Sequence, residues 1–379
     1  MTGSVTLLGV SSRRLLSLDV FRGLTVAAMV LVNNPGSWAS VWWPLRHATW
    51  HGWTPTDLIF PFFLFIVGVA VPLALGRRLE VGDSKGRLAL RIIRRAAIIF
   101  ALGFVLHAVP SFDLATIRIP GVLQRIAVCY LVTALLFLVV GWKTEAVLAA
   151  ALLLGYWGAL THVAAPGFQA GDLGPEGNLA AWLDRSILGQ HIWRVSKIYD
   201  PEGILSTAGA IATTLMGVLS GRLVWGGLGV RDTGTGLLVG GLVGTTFGLL
   251  WGYWLPINKS LWTSSYALFT AGAALLVLTA CYWLIEVRGS RWWTRPFEIL
   301  GVNALAVFFL STLLARLLIA IRMPGPDGRS QSVQAVLYDA YFASWAEPTL
   351  ASLAWAAANV LLWLALMWPL FRRNIRLTV

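Results

Sequence analysis

Ten stretches of this chain are apolar for long enough to cross a lipid bilayer, and no other feature restricts the possible folds so tightly. A spanning helix needs roughly 17–25 mostly apolar residues. Runs of that kind lie at 18–34, 57–76, 92–109, 121–140, 144–164, 203–221, 233–254, 261–285, 297–320 and 350–370. In hydrocarbon the backbone has to satisfy its own hydrogen bonds, so each run is predicted to be a helix. The expected fold is an all-α, polytopic membrane helix bundle of about ten transmembrane helices. It forms a single transmembrane domain over 1–379, with no internal repeat and no separate soluble domain. Composition agrees, with 57% hydrophobic and 12% charged residues. The first run ends in 32-VNNPG-36 and lacks a small-residue cleavage site, so it is expected to be a retained span.

The net charge of +12 does not point to nucleic acid, because Lys and Arg sit in short clusters between the apolar runs. Counted by loop, the clusters give an orientation. With the N-terminus inside, eighteen Lys and Arg fall on cytoplasmic segments, from Arg13 and Arg14 to Arg376, against eight on the other face. Both termini are therefore expected in the cytoplasm, with the loop 36–56 outside. The basic segment 77-RRLEVGDSKGRLALRIIRR-95 suits anionic membrane lipid. Cys129 and Cys281 lie inside apolar runs, without disulfide or metal spacing. His47 and His51 are four apart, but a third ligand is lacking and no metal is expected.

The map collects polar residues at the outer helix ends. Asn33 and Asn34 close the first run, His47 and His51 lie in the next loop, and Asp57 opens the second. Arg118, Gln124 and Arg125 follow in 118-RIPGVLQR-125, then Asp200 and Glu202 in 199-YDPEG-203, and Asn258, Lys259 and Trp262 in 256-PINKSLW-262. Taken alone, Asp57 and Asp200 read as helix-start carboxylates, and the tryptophans near His47 as interfacial anchors. Arg125 is different: an arginine inside a span is costly and usually faces a partner or a wet cavity. Pro61 cannot donate to the carbonyl of Asp57 and is expected to kink the second span there. In the other leaflet, Asp19 and Arg22 share one helix face, and Asn303 and Asn359 read by default as interhelical hydrogen bonders.

Six motifs in order, 18-LDVFRGLTVAAMVLVNNPG-36, 47-HATWHGWTPTDLIFPFFLFIVG-68, 117-IRIPGVLQR-125, 199-YDPEGILST-207, 255-LPINKSLW-262 and 301-GVN-303, resemble the transmembrane acetyltransferases related to lysosomal heparan-alpha-glucosaminide N-acetyltransferase. The resemblance covers most of the chain and is greater to the shorter bacterial members. By this resemblance the chain is expected to do without the lumenal N-terminal domain, and its Asn33-to-His47 segment is slightly longer. The resemblance implies an acyltransferase of a bacterial inner membrane that moves the acetyl group of cytosolic acetyl-CoA, a cosubstrate, to the amino group of a glucosamine-type acceptor outside. It implies His47 as the essential histidine, Asn33 as its assistant, and favours a homodimer.

Such a reaction needs an amine deprotonated and negative charge on the thioester oxygen stabilised. Histidine suits the first task, and Asn33 or Arg125 the second. Asp200, Glu202 and Asp57 are candidates to hold sugar hydroxyls or an ammonium. Arg118, Lys259 and Asn258 are candidates for anionic or polar parts of the acceptor, with Gln124 and Trp262 completing the set. Asn303 and the basic loop are candidates for the donor's phosphates. An amino-sugar transporter is the alternative, but the broken mid-membrane helices and repeat it would need are not evident.

Overall fold

The computed structural model describes residues 15–324 and 330–377; Arg13, Arg14 and Arg329 of the charge count lie outside them. Each of the ten apolar runs is a helix. They are α1 (Leu16–Asn33), α2 (Pro55–Glu80), α3 (Lys85–Ala108), α4 (Val122–Val139), α5 (Trp142–His162), α7 (Thr207–Trp225), α8 (Val230–Trp251), α9 (Ser264–Val287), the pair α10 (Arg295–Val302) and α11 (Ala304–Ala320), and α13 (Pro348–Arg372). Between them lie a ten-residue helix, α6 (Leu179–Leu188), a hairpin of β1 (Arg322–Pro324) and β2 (Ser330–Ser332), and the short α12 (Val333–Tyr338). The protein is a multi-pass membrane helix bundle. Eight of the helices are long and apolar enough to span by themselves, and α10 with α11 makes a ninth when counted as one broken span. The tenth run, α3, opens with Lys85, Arg87, Arg91, Arg94 and Arg95. These charges stay exposed at one end, where long side chains reach water while their stems cover apolar surface.

Small residues decide which helices touch. Lipid tails give no hydrophobic reason for two membrane helices to associate, so backbones must approach closely enough for dispersion to act. A Cβ on Gly68 would stand 2.1 Å from the Thr214 carbonyl oxygen, and one on Gly217 2.3 Å from that of Phe65, which locks α2 against α7. Gly248 packs on Phe269 and Gly272 on Thr245 in the α8–α9 seam, and Gly23 meets Phe297 between α1 and α10. At one end of the bundle, Glu145 of α5 is fully buried and takes two 2.7 Å hydrogen bonds from Arg222 of α7.

Pro61 leaves the Asp57 carbonyl without its helical donor, and the Tyr266 hydroxyl fills the gap at 2.5 Å. The start of α2 is accordingly a 3-10 turn, Pro55–Leu58, before the α-helix begins. The carbonyl that Pro61 frees thus ties α2 to α9. A second break was not evident in the sequence: α10 and α11 meet at 79° around Asn303. Asn303 is buried there, accepting from Leu377 N at 2.8 Å and donating to the Ile375 carbonyl at 3.4 Å.

Candidate active site

The segment before α2 folds around Asp57. Thr54 and Asp57 form a capping box, and Oδ2 of Asp57 accepts the backbone N–H groups of Ala48 and Thr54, each at 3.0 Å. The Thr54 hydroxyl lies 3.1 Å from the same oxygen but donates to the Arg46 carbonyl at 2.6 Å. Oδ1 is left for Nδ1 of His47, 2.7 Å away. A carboxylate only accepts, so the Nδ1 proton is on His47 and the lone pair is on Nε2. Asp57 is 1% exposed while the His47 side chain is 47% exposed. The result is a half-exposed imidazole fixed by a buried carboxylate.

Lys259 completes the cluster. Its Nζ lies 3.2 Å from Nε2 and 3.0 Å from Nδ1 of His47, and 3.6 Å from Oδ1 of Asp57. Burial pushes its ammonium below the ordinary lysine range, against the attraction of Asp57 and Glu202. The loop carrying it is held by Asn258, whose Oδ1 accepts from Leu261 N at 2.8 Å and whose amide reaches His51 at 3.3 Å. Residues 46–53 are not helical, so the four-residue spacing of the histidines does not place them on one face.

Three chain segments build the neighbouring charges. His191 Nδ1 lies 2.7 Å from the Ile117 carbonyl, and Ile119 N donates to the His191 carbonyl at 2.9 Å, which fixes Arg118 between the two loops. Arg118 donates to Asp200 at 2.9 and 2.5 Å and also to Glu202. Burial raises the Glu202 carboxyl, but Arg118, Arg125 and Lys259 together hold it below the ordinary glutamate range. Glu202 therefore feels both the Arg118 group and the lysine beside His47. Asp184 of α6 supports this loop from below by accepting Ile204 N at 2.8 Å, and burial pushes its carboxyl up to about 6 from 3.8. Because the unfolded chain gives up this proton first, Asp184 lowers stability as pH rises from about 4 to about 6, and the penalty stays above that. Asp184→Asn is expected to gain in melting temperature relative to the parent between pH 4 and pH 7, by the equivalent of up to about 3 kcal/mol. A difference that does not change with pH contradicts this.

A cavity of about 420 Å³ opens beside these loops, walled by α1, α3, α4, α11 and α13. Asn33, Arg118 and Gln124 line it, together with Asn359 and two residues that the reading of the sequence passed over, His107 and Arg316. His47 is not part of this wall. The charges of Arg118, Glu202 and Lys259 connect the two places. Arg125 turns away from the cavity: it is 2% exposed, donates to the Gly203 carbonyl and the Ser206 hydroxyl, and lies over the Trp262 ring. Trp262 is itself buried at φ +49°, with its indole N–H on Thr213. Asn303 is not in this group, being tied to the C-terminal backbone. Arg316 carried the same signal as Arg125, a cation within an apolar run.

Residues 14–171, which include His47, Asp57, Arg118 and Arg125, match the family model described as "Heparan-alpha-glucosaminide N-acetyltransferase, catalytic". The human heparan-alpha-glucosaminide N-acetyltransferase is 30% identical, over 78% of this chain and 52% of its own length. Over this region the chain is similar to the heparan-alpha-glucosaminide N-acetyltransferase family. The mouse protein of that name is also 30% identical, over 79% of this chain and 53% of its own. The chain thus spans about half the length of these curated relatives. Within the family match, the dyad His47–Asp57 is supplied by one loop and its following helix turn, only ten residues apart, whereas its lysine comes from a loop about two hundred residues on.

Proposed function

We propose that this protein is a membrane acetyltransferase that moves an acetyl group from acetyl-CoA to the amino group of a glucosamine-type sugar. The observation that carries the reading is the His47–Asp57–Lys259 cluster, a half-exposed base with a buried carboxylate behind it. Acetyl-CoA supplies the acyl group as a thioester. Nε2 of His47 takes the proton from the attacking amine and gives it to the sulfur of CoA as the C–S bond breaks, while Asp57 holds the ring and balances the charge that forms on it in between. Lys259 and Asn33 are the groups assigned to the developing negative charge on the carbonyl oxygen. Arg125, given that task as an alternative on sequence grounds, lies in the loop packing and is assigned to positioning. A thioester is already activated, so direct attack needs no acetyl-histidine if both substrates meet at one place.

Arg118, which lines the cavity, borders the acceptor's entrance with its partners Asp200 and Glu202, while Asn258 shapes the loop that carries Lys259 and Trp262 packs beneath Arg125. The eighteen-to-eight charge count supports an outward His47 loop, cytoplasmic termini and donor entry from the opposite face, in a bacterial inner membrane and as a homodimer by family resemblance. Asn303 and the basic segment before α3 are at the donor's face in this arrangement. The break at Asn303 lies at the end of its span away from His47, so it does not cradle the cavity as a transporter's broken helix would. Acetyl transfer by the purified protein in detergent, where there are no compartments, separates the two readings. N-acetylated sugar is the expected product; sugar binding with no product would favour transport.

A further inference from the structure

We propose that the basic end of the α3–α4 pair binds one anionic phospholipid, with an acyl chain in the groove between the two helices and the lipid phosphate on Lys85. The site is at the end of α3 opposite His107, apart from the His47 cluster. Its headgroup is chosen by one lysine and not by the basic segment as a whole.

The two helices run antiparallel. His107 of α3 meets Gln124 near the start of α4, Arg95 lies over the Tyr130 ring at 5.2 Å, and Leu88 and Ile92 pack in one cluster with Phe137 and Leu138. Toward Lys85 the pair does not close on its outer side. A groove of about 470 Å³ runs there, walled by Ala89 of α3 and by Val132, Leu135, Leu136 and Val139 of α4, about two turns of helix. Gly86 leaves the groove open, since a Cβ on it would meet no atom within 4 Å. Just past Val139, Trp142 is 58% exposed and Lys143 lies over its ring, residue types that mark a membrane interface. The groove therefore begins where lipid phosphates end and acyl chains start.

An apolar groove takes any acyl chain, so selection has to come from charge. α3 opens with five cations, and Asp83 is the carboxylate they share among the described residues. Arg87 and Arg91 pair with it at 3.5 and 3.2 Å, and Arg95 is engaged by the Tyr130 ring. Arg94 makes no ion pair among the described residues, but it is nine residues after Lys85 and so on the opposite side of the helix. Lys85 is different in both respects: it lines the groove, and it makes no ion pair among the described residues. An ammonium without a carboxylate at the interfacial mouth of an apolar groove matches a lipid whose phosphate and tail are joined at that spacing. A neutral, zwitterionic headgroup gains less there, because its own cation is brought to the lysine with its phosphate.

The test is native mass spectrometry of the full chain released from detergent, titrated with phosphatidylglycerol and with phosphatidylcholine of the same acyl chains, alone and against CoA or inorganic phosphate. The parent is expected to bind its first phosphatidylglycerol about fivefold more tightly than its first phosphatidylcholine, the worth of one lysine beside an anionic headgroup. Lys85→Gln is expected to erase that gap and leave phosphatidylcholine unchanged. Gly86→Leu, which fills the groove, is expected to weaken both lipids together. Arg94→Gln removes the same charge from the other side of α3 and is expected to keep the gap. The proposal is overturned by a parent without the gap, by a gap that survives Lys85→Gln, or by lipid binding that Gly86→Leu does not touch. An equal loss in Arg94→Gln also overturns it, since the preference would then be a diffuse attraction to the basic surface. So does displacement of the first phosphatidylglycerol by CoA or inorganic phosphate, which would give the lysine to a soluble phosphate.

Discussion

His47→Ala is expected to lower acetyl transfer by about 10²–10⁴-fold, the usual worth of a positioned general base, with the melting temperature in detergent nearly unchanged. The imidazole is half exposed, so its loss opens no cavity in the core. Asp57→Asn should be almost as damaging to the rate for a different reason. An amide in place of Oδ1 presents either a carbonyl or an N–H to His47, and the N–H form turns the ring to the wrong tautomer. His51→Ala should be much milder, because His51 touches the Asn258 amide and not the dyad. Initial rates beside melting curves separate these effects. A His47→Ala protein with more than about a tenth of parental turnover would remove the base assignment.

Arg118→Met is expected to produce the largest loss of stability among the site residues. Arg118 holds Asp200, which is 2% exposed, and Glu202. Removing it leaves two carboxylates in a buried loop without their counter-charge, and breaking such a pair from one side costs about 3–5 kcal/mol. The consequence reaches catalysis, because Glu202 is then left to Arg125 and Lys259 and draws the ammonium away from His47. Thermal unfolding and transfer rate should therefore fall together. A variant with parental stability would show that the cluster is solvated and not a buried support.

The spans were legible in the sequence because hydrocarbon leaves the backbone no alternative to helix, and nine of the ten runs are helical within about four residues of where hydropathy puts them, while α3 starts seven residues earlier at Lys85. The orientation of polar residues within them was harder to read. Gln124 and Arg125 are neighbours in sequence, yet one lines the cavity and the other packs on Trp262, since adjacent residues on a helix point about a hundred degrees apart. Asp57 was visible as a helix-start carboxylate, and that reading holds in the capping box, but its hydrogen bond to His47 depends on how residues 48–54 turn. The contacts of Arg118 with Asp200, 82 residues away, and of Lys259 with His47, 212 away, depend on helix packing set by glycines. Asn303 looked like an interhelical or donor-binding amide, whereas its partners are backbone atoms of the C-terminal segment.

The central claim is that His47 acts as a base for direct transfer and does not carry the acetyl group itself. Purified protein should be mixed with acetyl-CoA in the absence of sugar, free CoA measured within one turnover time, and the intact protein weighed. The account predicts no CoA release until glucosamine is added, and then release matched one to one by N-acetyl sugar. Stoichiometric CoA release before any sugar is present, together with an acetyl group on His47, would contradict it.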